Sequence, residues 1–462
     1  MEETISAVTA VLWIPSNALS NAKFSTRRSE MLGDSTIESE REGSDNEVSV
    51  NTPEASLPVV AGKISGNDEL GPEFNMDNYD DEDVEDKTHL FSVVDADRKL
   101  LEENDEFMND EISDSEDENY YQIKQDDVLF VAANVEDDAC TIEVYLHDTF
   151  DGGMYVHHDF LISSYPLSLE YIPAGASTQS LLAIGAFDPK IDIWELTTHD
   201  PIEPLLQLGD GKKKGHTDAV ISLHLCPQNA SALASGSADT TVRIWDLNKA
   251  VSVTTLAHHK DKVQSVKWHP LEAGILMSAG YDKSVRVTDQ RANSALSSAV
   301  VQLESDPECT IWSRHSPSLI LISDEKGFIS AHDLRKINAG PVWSVKAHGK
   351  GGCTSFTDVM NQPDLMISAG LDGEAKIWKS DKCQLEPQLV FSRDLGAGAL
   401  FSVSSHNDDA SLAVFGASCP VLWNITDSDV VCKTFPLLPG ADRPAVEFPD
   451  EEEDNPEELD DD

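Results

Sequence analysis

A tight turn that leads into alternating apolar residues recurs between residues 187 and 379. In each clear copy an aspartate stands six positions before a tryptophan, or before a threonine in one case. Alternation of apolar and polar residues is typical of a strand with one buried face, and the preceding turn indicates a hairpin. The four clear copies are FDPKIDIWE (Phe187–Glu195), ADTTVRIWD (Ala238–Asp246), YDKSVRVTD (Tyr281–Asp289) and LDGEAKIWK (Leu371–Lys379).

Three weaker copies extend this repeat on both sides and fill the gap within it. They occupy Ala139–Leu146, Asp324–Asp333 and Ala417–Trp423. Seven units then follow one another at a spacing of roughly 43 to 51 residues, and such a period, with several short strands per unit, is typical of a β-propeller. The sequence therefore predicts an all-β fold, a seven-bladed propeller of four-stranded blades over residues 121–437.

The two ends of the chain differ from the repeat. TISAVTAVLWIP (Thr4–Pro15) is apolar, rich in β-branched residues and closed by a proline, which predicts one strand. Because this strand is apolar on both faces, we expect residues 1–15 to pair with the terminal blades and clasp the propeller. Residues 16–120 and 438–462 are acidic and almost without periodicity, so we expect two disordered segments.

Negative charge is concentrated in the outer segments. Residues 1–127 hold 34 acids against 9 bases, and residues 447–462 hold 11 acids and no base. Residues 128–446, with 39 acids and 24 bases, are closer to an ordinary globular domain. The formal net charge of −51 disfavours direct nucleic-acid binding and favours basic partners such as ribosomal proteins, histones and assembly factors. Solvation alone is the other interpretation of the acidic segments.

Cysteine usage and the first residues bear on the compartment. Seven cysteines lie far apart without a C-x-x-C pair, as is typical of buried thiols in a reducing compartment. The chain begins Met-Glu-Glu-Thr-Ile without a basic region, and no apolar run is long enough to span a membrane. We therefore expect a nuclear or cytoplasmic protein without a signal peptide or a membrane contact.

The third unit resembles a WD repeat, because GHTDAV (Gly215–Val220) is followed by LASGSADTTVRIWD (Leu233–Asp246). In that family a histidine, a serine or threonine, an aspartate and the tryptophan form a hydrogen-bonded tetrad in each blade. The resemblance implies tetrads in three units, with Thr288 replacing the tryptophan of the fourth. The matching residues are His216, Ser235, Asp239 and Trp245 in the third unit, His259, Ser278 and Asp282 in the fourth, and His348, Ser368, Asp372 and Trp378 in the sixth.

Sets of histidine, serine and aspartate also invite a catalytic interpretation. A buried carboxylate at a tight turn needs hydrogen-bond donors, and the imidazole, the hydroxyl and the turn amides supply them. Repetition of the set at matched spacing favours this structural role, so no catalytic residue is predicted. The second unit has Ile184 at the serine position, and the fifth reads Asp324-Glu-Lys-Gly. These two blades are expected to depend on apolar packing instead.

Several segments resemble the periodic tryptophan protein 1 family. Seven of the eight tryptophans are spread through the predicted blades, and the match covers most of residues 128–426 and the first fifteen. The resemblance implies a nuclear and nucleolar protein that takes part in ribosome assembly and ribosomal RNA production, with links to chromatin. The segments are TISAVTAVLWIP, YVHHDFLISSYPLSLEY (Tyr155–Tyr171), GHTDAV and HKDKVQSVKWHPLEAGILMSAGYDKSV (His259–Val285).

Three short motifs have a functional and a plain interpretation. His157-His158-Asp159 invites a metal site, but adjacent histidines on a strand point to opposite faces, which favours an ordinary strand segment. His258 beside the tetrad residue His259 is interpreted in the same way. Gly209-Asp-Gly-Lys-Lys-Lys-Gly215 lacks the Walker spacing and is a solvated loop, or a nuclear-import or phosphate-contacting segment. No metal or cofactor is predicted.

Serines in the acidic segment are candidate phosphorylation sites. Acidic-directed kinases select serines with an acid three residues later. The candidates are Ser39, Ser44, Ser113 and Ser115.

Two classes of function fit these observations. The first is a non-catalytic scaffold, nuclear and nucleolar with a cytoplasmic pool as an alternative, that binds pre-ribosomal or other basic nuclear proteins. The second is a WD-repeat substrate receptor or a histone- and chromatin-binding module. An enzyme is disfavoured because no nucleophile–base pair, metal cluster or phosphate loop remains once the tetrads are assigned. We expect the protein to be a monomer.

Overall fold

A computed structural model describes most of the chain between residue 127 and residue 438, together with the N-terminal strand. The described residues are 6–15, 25–26, 123, 127–137, 139–149, 152–173, 180–199, 201–209, 215–291, 299–349, 351–380 and 385–438. The predicted acidic segments, 16–120 and 438–462, lie outside these ranges except for residues 25, 26 and 438.

Short β-strands make up most of the described residues. The first ten are β1 (Ser6–Ile14), β2 (Ser25–Thr26), β3 (Val128–Glu136), β4 (Ala139–His147), β5 (Met154–Ile162), β6 (Pro166–Pro173), β7 (Ser180–Ala186), β8 (Ile191–Glu195), β9 (Thr198–His199) and β10 (Leu206–Leu208). The next eight are β11 (Val220–Cys226), β12 (Asn229–Ser237), β13 (Val242–Asp246), β14 (Val251–Leu256), β15 (Val263–Trp268), β16 (Ile275–Gly280), β17 (Ser284–Asp289) and β18 (Ala299–Gln302). The last eleven are β19 (Pro307–Trp312), β20 (Leu319–Asp324), β21 (Phe328–Asp333), β22 (Trp343–Lys346), β23 (Cys353–Val359), β24 (Gln362–Gly370), β25 (Glu374–Lys379), β26 (Gln388–Asp394), β27 (Ser402–Ser405), β28 (Leu412–Gly416) and β29 (Pro420–Asn424).

Helices are few and short in the described ranges. Two are 3₁₀ helices, Leu334–Ala339 and Ile425–Asp427, and one is an α-helix, α1 (Asp429–Thr434). None of the helices in these ranges is long and apolar enough to cross a membrane.

Seven antiparallel sheets form the blades. Blade 1 is β1-β3-β4-β5 and blade 2 is β6-β7-β8-β10. Blades 3 to 6 are β11–β14, β15–β18, β19–β22 and β23–β26, and blade 7 is β27-β28-β29. The two-residue strands β2 and β9 form a separate parallel pair.

The blades are arranged in a closed ring. The first strand of each sheet packs beside the first strand of the next, so these seven strands surround a common axis. Seven clusters of buried apolar side chains fill the seven gaps between neighbouring blades. Burial between blades is the main stabilising term, at about 25 cal/mol for each Å² of apolar surface removed from water. The predicted seven-bladed propeller is confirmed.

The prediction of seven four-stranded blades within residues 121–437 is wrong for blade 1. Blade 1 takes its innermost strand, β1, from the N-terminus, and blade 7 has three strands in the described ranges. The prediction fails for blade 1 because the repeat pattern assigns four strands to every unit. In the described ranges the first unit supplies β3, β4 and β5, and the last supplies β27, β28 and β29.

Strand β1 joins the two ends of the ring. It pairs with β3 along its whole length, from Ser6 opposite Glu136 to Ile14 opposite Leu129. On its other side the amide of Val8 donates to the carbonyl of Ala417 in blade 7 at 2.6 Å. The residues of β1 that face blade 7 are buried in the cluster that this blade shares with blade 1.

Candidate functional site

The tetrad residues of blade 3 form one chain of hydrogen bonds. The Trp245 indole Nε1–H donates to the Ser235 Oγ at 2.8 Å, and the Ser235 hydroxyl donates to His216 Nε2 at 2.7 Å. His216 Nδ1–H then donates to the Asp239 carboxylate at 2.9 Å. This order of donors requires the Nδ1–H tautomer of the imidazole. The chain ties the third strand of the blade to the segment that enters its first strand.

Asp239 also organises the turn between β12 and β13. Its carboxylate accepts the amide of Thr217 at 3.1 Å, and the amide and hydroxyl of Thr241 at 2.9 and 2.6 Å. Burial alone would raise the pKa of Asp239, but the hydrogen bonds from His216 and Thr241 outweigh it and hold this pKa well below its usual range. The aspartate is therefore an ionised anchor of the turn.

Blade 6 repeats this geometry. Trp378 Nε1–H donates to the Ser368 Oγ at 2.9 Å, the Ser368 hydroxyl donates to His348 Nε2 at 2.8 Å, and His348 Nδ1–H donates to Asp372 at 2.9 Å. Burial lowers the pKa of His348, which keeps the ring neutral as this donor order requires.

Blade 4 completes its tetrad with a histidine that sequence analysis assigned no role. His259 bonds Asp282 through Nδ1 at 3.1 Å and Ser278 through Nε2 at 2.8 Å. The hydroxyl of Ser278 lies 3.0 Å from His258 Nε2, which donates where the other blades use the indole N–H. Thr288 is buried at the tryptophan position, and its hydroxyl oxygen has no hydrogen-bond partner among the described residues. Burial lowers the pKa of His258 to about 4.

These sets of histidine, serine and aspartate are committed to the fold. The three serines are 0 to 2% exposed. Each hydroxyl donates to an imidazole and accepts from an indole or a second imidazole, as the distances above require. Such a serine has neither access to a substrate nor a free direction for attack, so the geometry supports stabilisation of the blade.

Blades 2 and 5 hold their turns in other ways. In blade 2 Ile184 is 2% exposed and Trp194 stacks on Phe160 of blade 1, with ring centroids 4.8 Å apart. In blade 5 the Asp324 carboxylate accepts the hydroxyl of Ser305 and the amide of Phe328, the latter at 2.8 Å. Apolar packing therefore replaces the tetrad in blade 2. Blade 5 keeps a smaller set of hydrogen bonds, centred on Asp324.

The two histidines of β5 do not point apart, contrary to the expectation for adjacent residues on a strand. His158 pairs with Val144, but the next pair is Tyr145 with Val156, so His157 is the extra residue of a β-bulge. The bulge turns both rings to one side, with their Nδ1 atoms 2.8 Å apart. Within the described residues no group of three or more His, Cys, Asp or Glu side chains could hold a metal ion.

Several predicted sites lie outside the described residues. They are the loop lysines Lys212, Lys213 and Lys214 and the candidate phosphorylation sites Ser39, Ser44, Ser113 and Ser115.

Polar side chains on the inner strands link neighbouring blades, which the repeat pattern did not indicate. Glu170 of blade 2 accepts the amide of Leu225 in blade 3 at 2.8 Å, and His224 Nδ1 of blade 3 accepts the amide of Trp268 in blade 4 at 3.0 Å. Burial raises the pKa of Glu170 to about 7, although the charge of Lys267 and the amide of Leu225 oppose the shift. The protonation of Glu170 is therefore linked to the stability of the ring.

We expect the free energy of unfolding of the Glu170→Gln variant to rise relative to that of the wild type as the pH rises. The folded-state pKa of Glu170 lies above its unfolded value, so the wild-type contribution is fully present below about pH 4 and is lost as the pH rises toward about 7. Glutamine has no such dependence. Denaturant unfolding at pH 5 and pH 8 measures the difference between the two proteins.

An exposed carboxyl in the same blade provides the control for this pH dependence. Glu203→Gln should change stability equally little at both pH values. If Glu170→Gln showed no more pH dependence than Glu203→Gln, the inter-blade role of Glu170 would be wrong.

Exposed apolar side chains lie on the rim at which the tetrad aspartates sit; we call this end of the blades the turn rim. Phe187 and Leu371 occupy the position just before the turn aspartate in blades 2 and 6 and are 59% and 40% exposed. Phe401, 40% exposed, begins blade 7 next to Leu371, since the amide of Leu400 donates to the carbonyl of Gly370 at 3.2 Å. Exposed apolar groups on a rigid rim are typical of protein-binding surfaces.

The seven blades and the tetrads within them define a WD-repeat β-propeller. The family described as WD domain, G-beta repeat matches residues 210–246 and 250–289. Among solved structures, the WD40 β-propeller domain of Doa1 superposes with a TM-score of 0.52 at 16% identity, over 64% of this chain and 88% of that one. This likeness concerns the fold alone.

Relatives matched over most of their length identify the family. The periodic tryptophan protein 1 homologue of Drosophila melanogaster is 32% identical over 79% of this chain and 80% of its own length. Periodic tryptophan protein 1 of Saccharomyces cerevisiae is 30% identical over 79% of this chain and 76% of its own. An uncharacterised WD repeat-containing protein of Schizosaccharomyces pombe is 29% identical over 91% of this chain. The chain belongs to the periodic tryptophan protein 1 family.

Proposed function

We propose that the protein is a non-catalytic interaction scaffold of the nucleus and nucleolus that acts in ribosome biogenesis and ribosomal RNA production. Membership in the periodic tryptophan protein 1 family carries this proposal, because the family resemblance implies ribosome assembly. The exposed apolar side chains of the turn rim provide a surface for binding proteins. The serines of the three tetrads are buried and inaccessible to a substrate.

The charge distribution supports basic proteins as partners. Ribosomal proteins are strongly basic before they meet RNA and need an acidic surface to remain soluble. The chain carries a net charge of −25 over residues 1–127 and −11 over residues 447–462. Attraction to these segments is screened within about 8 Å at physiological salt, whereas shape-specific contacts of the propeller persist.

Purification from nuclear extract at two salt concentrations tests the proposal. We expect the full chain to co-sediment with pre-ribosomal particles and to remain with them at moderate salt. A variant without residues 28–120 and 440–462, which keeps β1 and β2, should capture fewer basic proteins at low salt but retain the salt-resistant association. Leu371→Asp and Phe401→Asp, which replace apolar side chains of the turn rim by charged ones, should weaken that association, while Glu203→Gln should not.

Two outcomes would contradict this function. A histone complex or a ubiquitin-ligase complex in place of pre-ribosomal particles would favour the chromatin or substrate-receptor function. If the acidic segments alone retained all of the association, a general chaperone of basic proteins would be the better description.

A further inference from the structure

Among the described residues, blade 7 has an open outer edge. Each of the other six blades places a fourth strand outside its third, but among the described residues no strand pairs with the outer side of β29. Its side chains are correspondingly less buried. Leu422 is partly exposed, whereas Ile244, at the same place in the four-stranded blade 3, is 8% exposed. An unpaired strand edge is a template for another strand.

The ladder between β28 and β29 shows which groups the edge offers. The amide of Ile425 donates to the carbonyl of Ser411 at 2.8 Å, directly after the pair of Asn424 with Leu412. Because hydrogen-bonded and non-bonded pairs alternate along an antiparallel ladder, Trp423 bonds inward and Leu422 turns its N–H and C=O outward. The amide of Asn424 also faces outward, while Pro420 offers only a carbonyl. The edge therefore has the donors and acceptors for a short added strand.

Helix α1, which follows β29, packs against β26, and both elements carry exposed apolar side chains. Leu389 on β26 is 51% exposed, Val430 on α1 is 50% exposed, and Leu437 after α1 is 82% exposed. The opposite side of α1 is fixed, because Val431 and Phe435 are buried in the cluster between blades 6 and 7. Helix α1 is thus held against the ring while part of its apolar surface remains open.

Charge decides the kind of strand that fits. Between residues 385 and 438 six acids stand against two bases, and Asp427 and Asp429 directly follow β29. One of the two bases, Arg393, lies over the ring of Trp423 at 5.8 Å. Residues 30–127 and 447–462 of this chain carry net charges of −26 and −11, the same sign as the edge, so repulsion opposes their use as the missing strand. A basic segment is attracted instead.

We propose that the outer edge of blade 7 binds an extended, basic segment of a partner protein, which adds to β29 as the fourth strand of the blade. Main-chain hydrogen bonds to Leu422 and Asn424 hold the segment, and alternate apolar side chains of the segment pack toward Leu389 and Val430. This inference rests on the scaffold function only in requiring a protein partner. It does not depend on ribosome assembly.

Hydrogen exchange on the purified full chain tests the site. The probe is a short peptide that alternates lysine with valine. The control peptide replaces each valine by proline, which keeps the charge but removes the N–H of every second residue and disfavours an added strand. We expect the alternating peptide to slow exchange at the amides of Leu422 and Asn424 by about tenfold or more, and the proline peptide to leave them unchanged. The amides of Ile244 and Asp246, which already face β14, serve as internal controls.

Charge variants check the second half of the argument. Asp427→Asn combined with Asp429→Asn should raise the Kd of the alternating peptide about threefold or more, and Glu203→Gln should leave it unchanged. The proposal is overturned if the two amides of β29 are already protected without peptide, since this chain then fills the edge itself. Equal protection by both peptides, or by neither, overturns it as well. These measurements use no ribosomal component, so their failure is distinct from failure of the proposed function.

Discussion

A chain that lacks residues 1–15 is expected to melt about 8 °C below the intact protein. Loss of β1 exposes the inner edge of β3 and one side of the apolar cluster that blades 7 and 1 share. Five apolar residues of β1 are at most 9% exposed, and burying a large apolar side chain contributes about 1.5–3 kcal/mol. At about 1.5 °C per kcal/mol for a propeller of roughly 310 residues, a loss of about 5 kcal/mol gives the expected shift. Differential scanning calorimetry measures it.

Single substitutions of Trp13 are expected to lower the melting temperature by smaller amounts than removal of residues 1–15. Its indole N–H donates to the carbonyl of Ser404 in blade 7 at 3.0 Å, and its ring meets Phe130 and His406 edge to face. Trp13→Phe, which keeps an aromatic ring, should lower the melting temperature less than Trp13→Ala, which leaves a cavity. An unchanged melting curve for the truncated chain would show that β1 is not needed to close the ring and would favour a partner-binding role.

Removal of the blade 3 carboxylate, Asp239→Ala, is expected to lower the free energy of unfolding by about 3 kcal/mol or more. The substitution leaves the His216 Nδ1–H, the Thr217 amide and both donors of Thr241 without their acceptor. A buried donor that has no acceptor destabilises the fold by its full desolvation penalty, and this penalty exceeds the net gain from one hydrogen bond. Denaturant unfolding at neutral pH, followed by tryptophan fluorescence, provides the value.

The equivalent aspartate of blade 2 is a matched control. Asp188 holds the same position in its turn, but it is exposed and its side chain has no hydrogen bond recorded among the described residues. Asp188→Ala should therefore change stability by no more than about 0.5 kcal/mol. If both substitutions cost the same, the tetrad would contribute nothing beyond the turn itself.

Periodicity made the propeller predictable, and local spacing placed the tetrad residues. A tight turn, an aspartate and an alternating strand are short-range features, so each copy indicates its own hairpin without reference to the rest of the chain. The structure brings the histidine, serine and aspartate together in blades 3, 4 and 6 because the same spacing recurs in each. His258 was missed, since its role depends on the absence of an indole at Thr288, across the sheet.

Side-chain direction was the other weakness of sequence reasoning. The rule that adjacent residues on a strand point apart failed at His157, because a bulge depends on how β4 and β5 pair. The repeat pattern assigned no role to Glu170, because only the approach of blade 3 makes it a buried acceptor with a raised pKa. No local pattern carries information about these neighbours.

The sequence by itself determined the repeating hairpins, the number of blades, the polar links within three of them and the concentration of negative charge at both ends. These follow from residues that are close in the chain or from composition. Tertiary structure alone decided that β1 is the inner strand of blade 1, and that blade 7 has an open edge in the described ranges. Ring closure joins residues more than 390 positions apart, as Trp13 and Ser404 show, and that pairing is selected by the burial of apolar surface between complete blades.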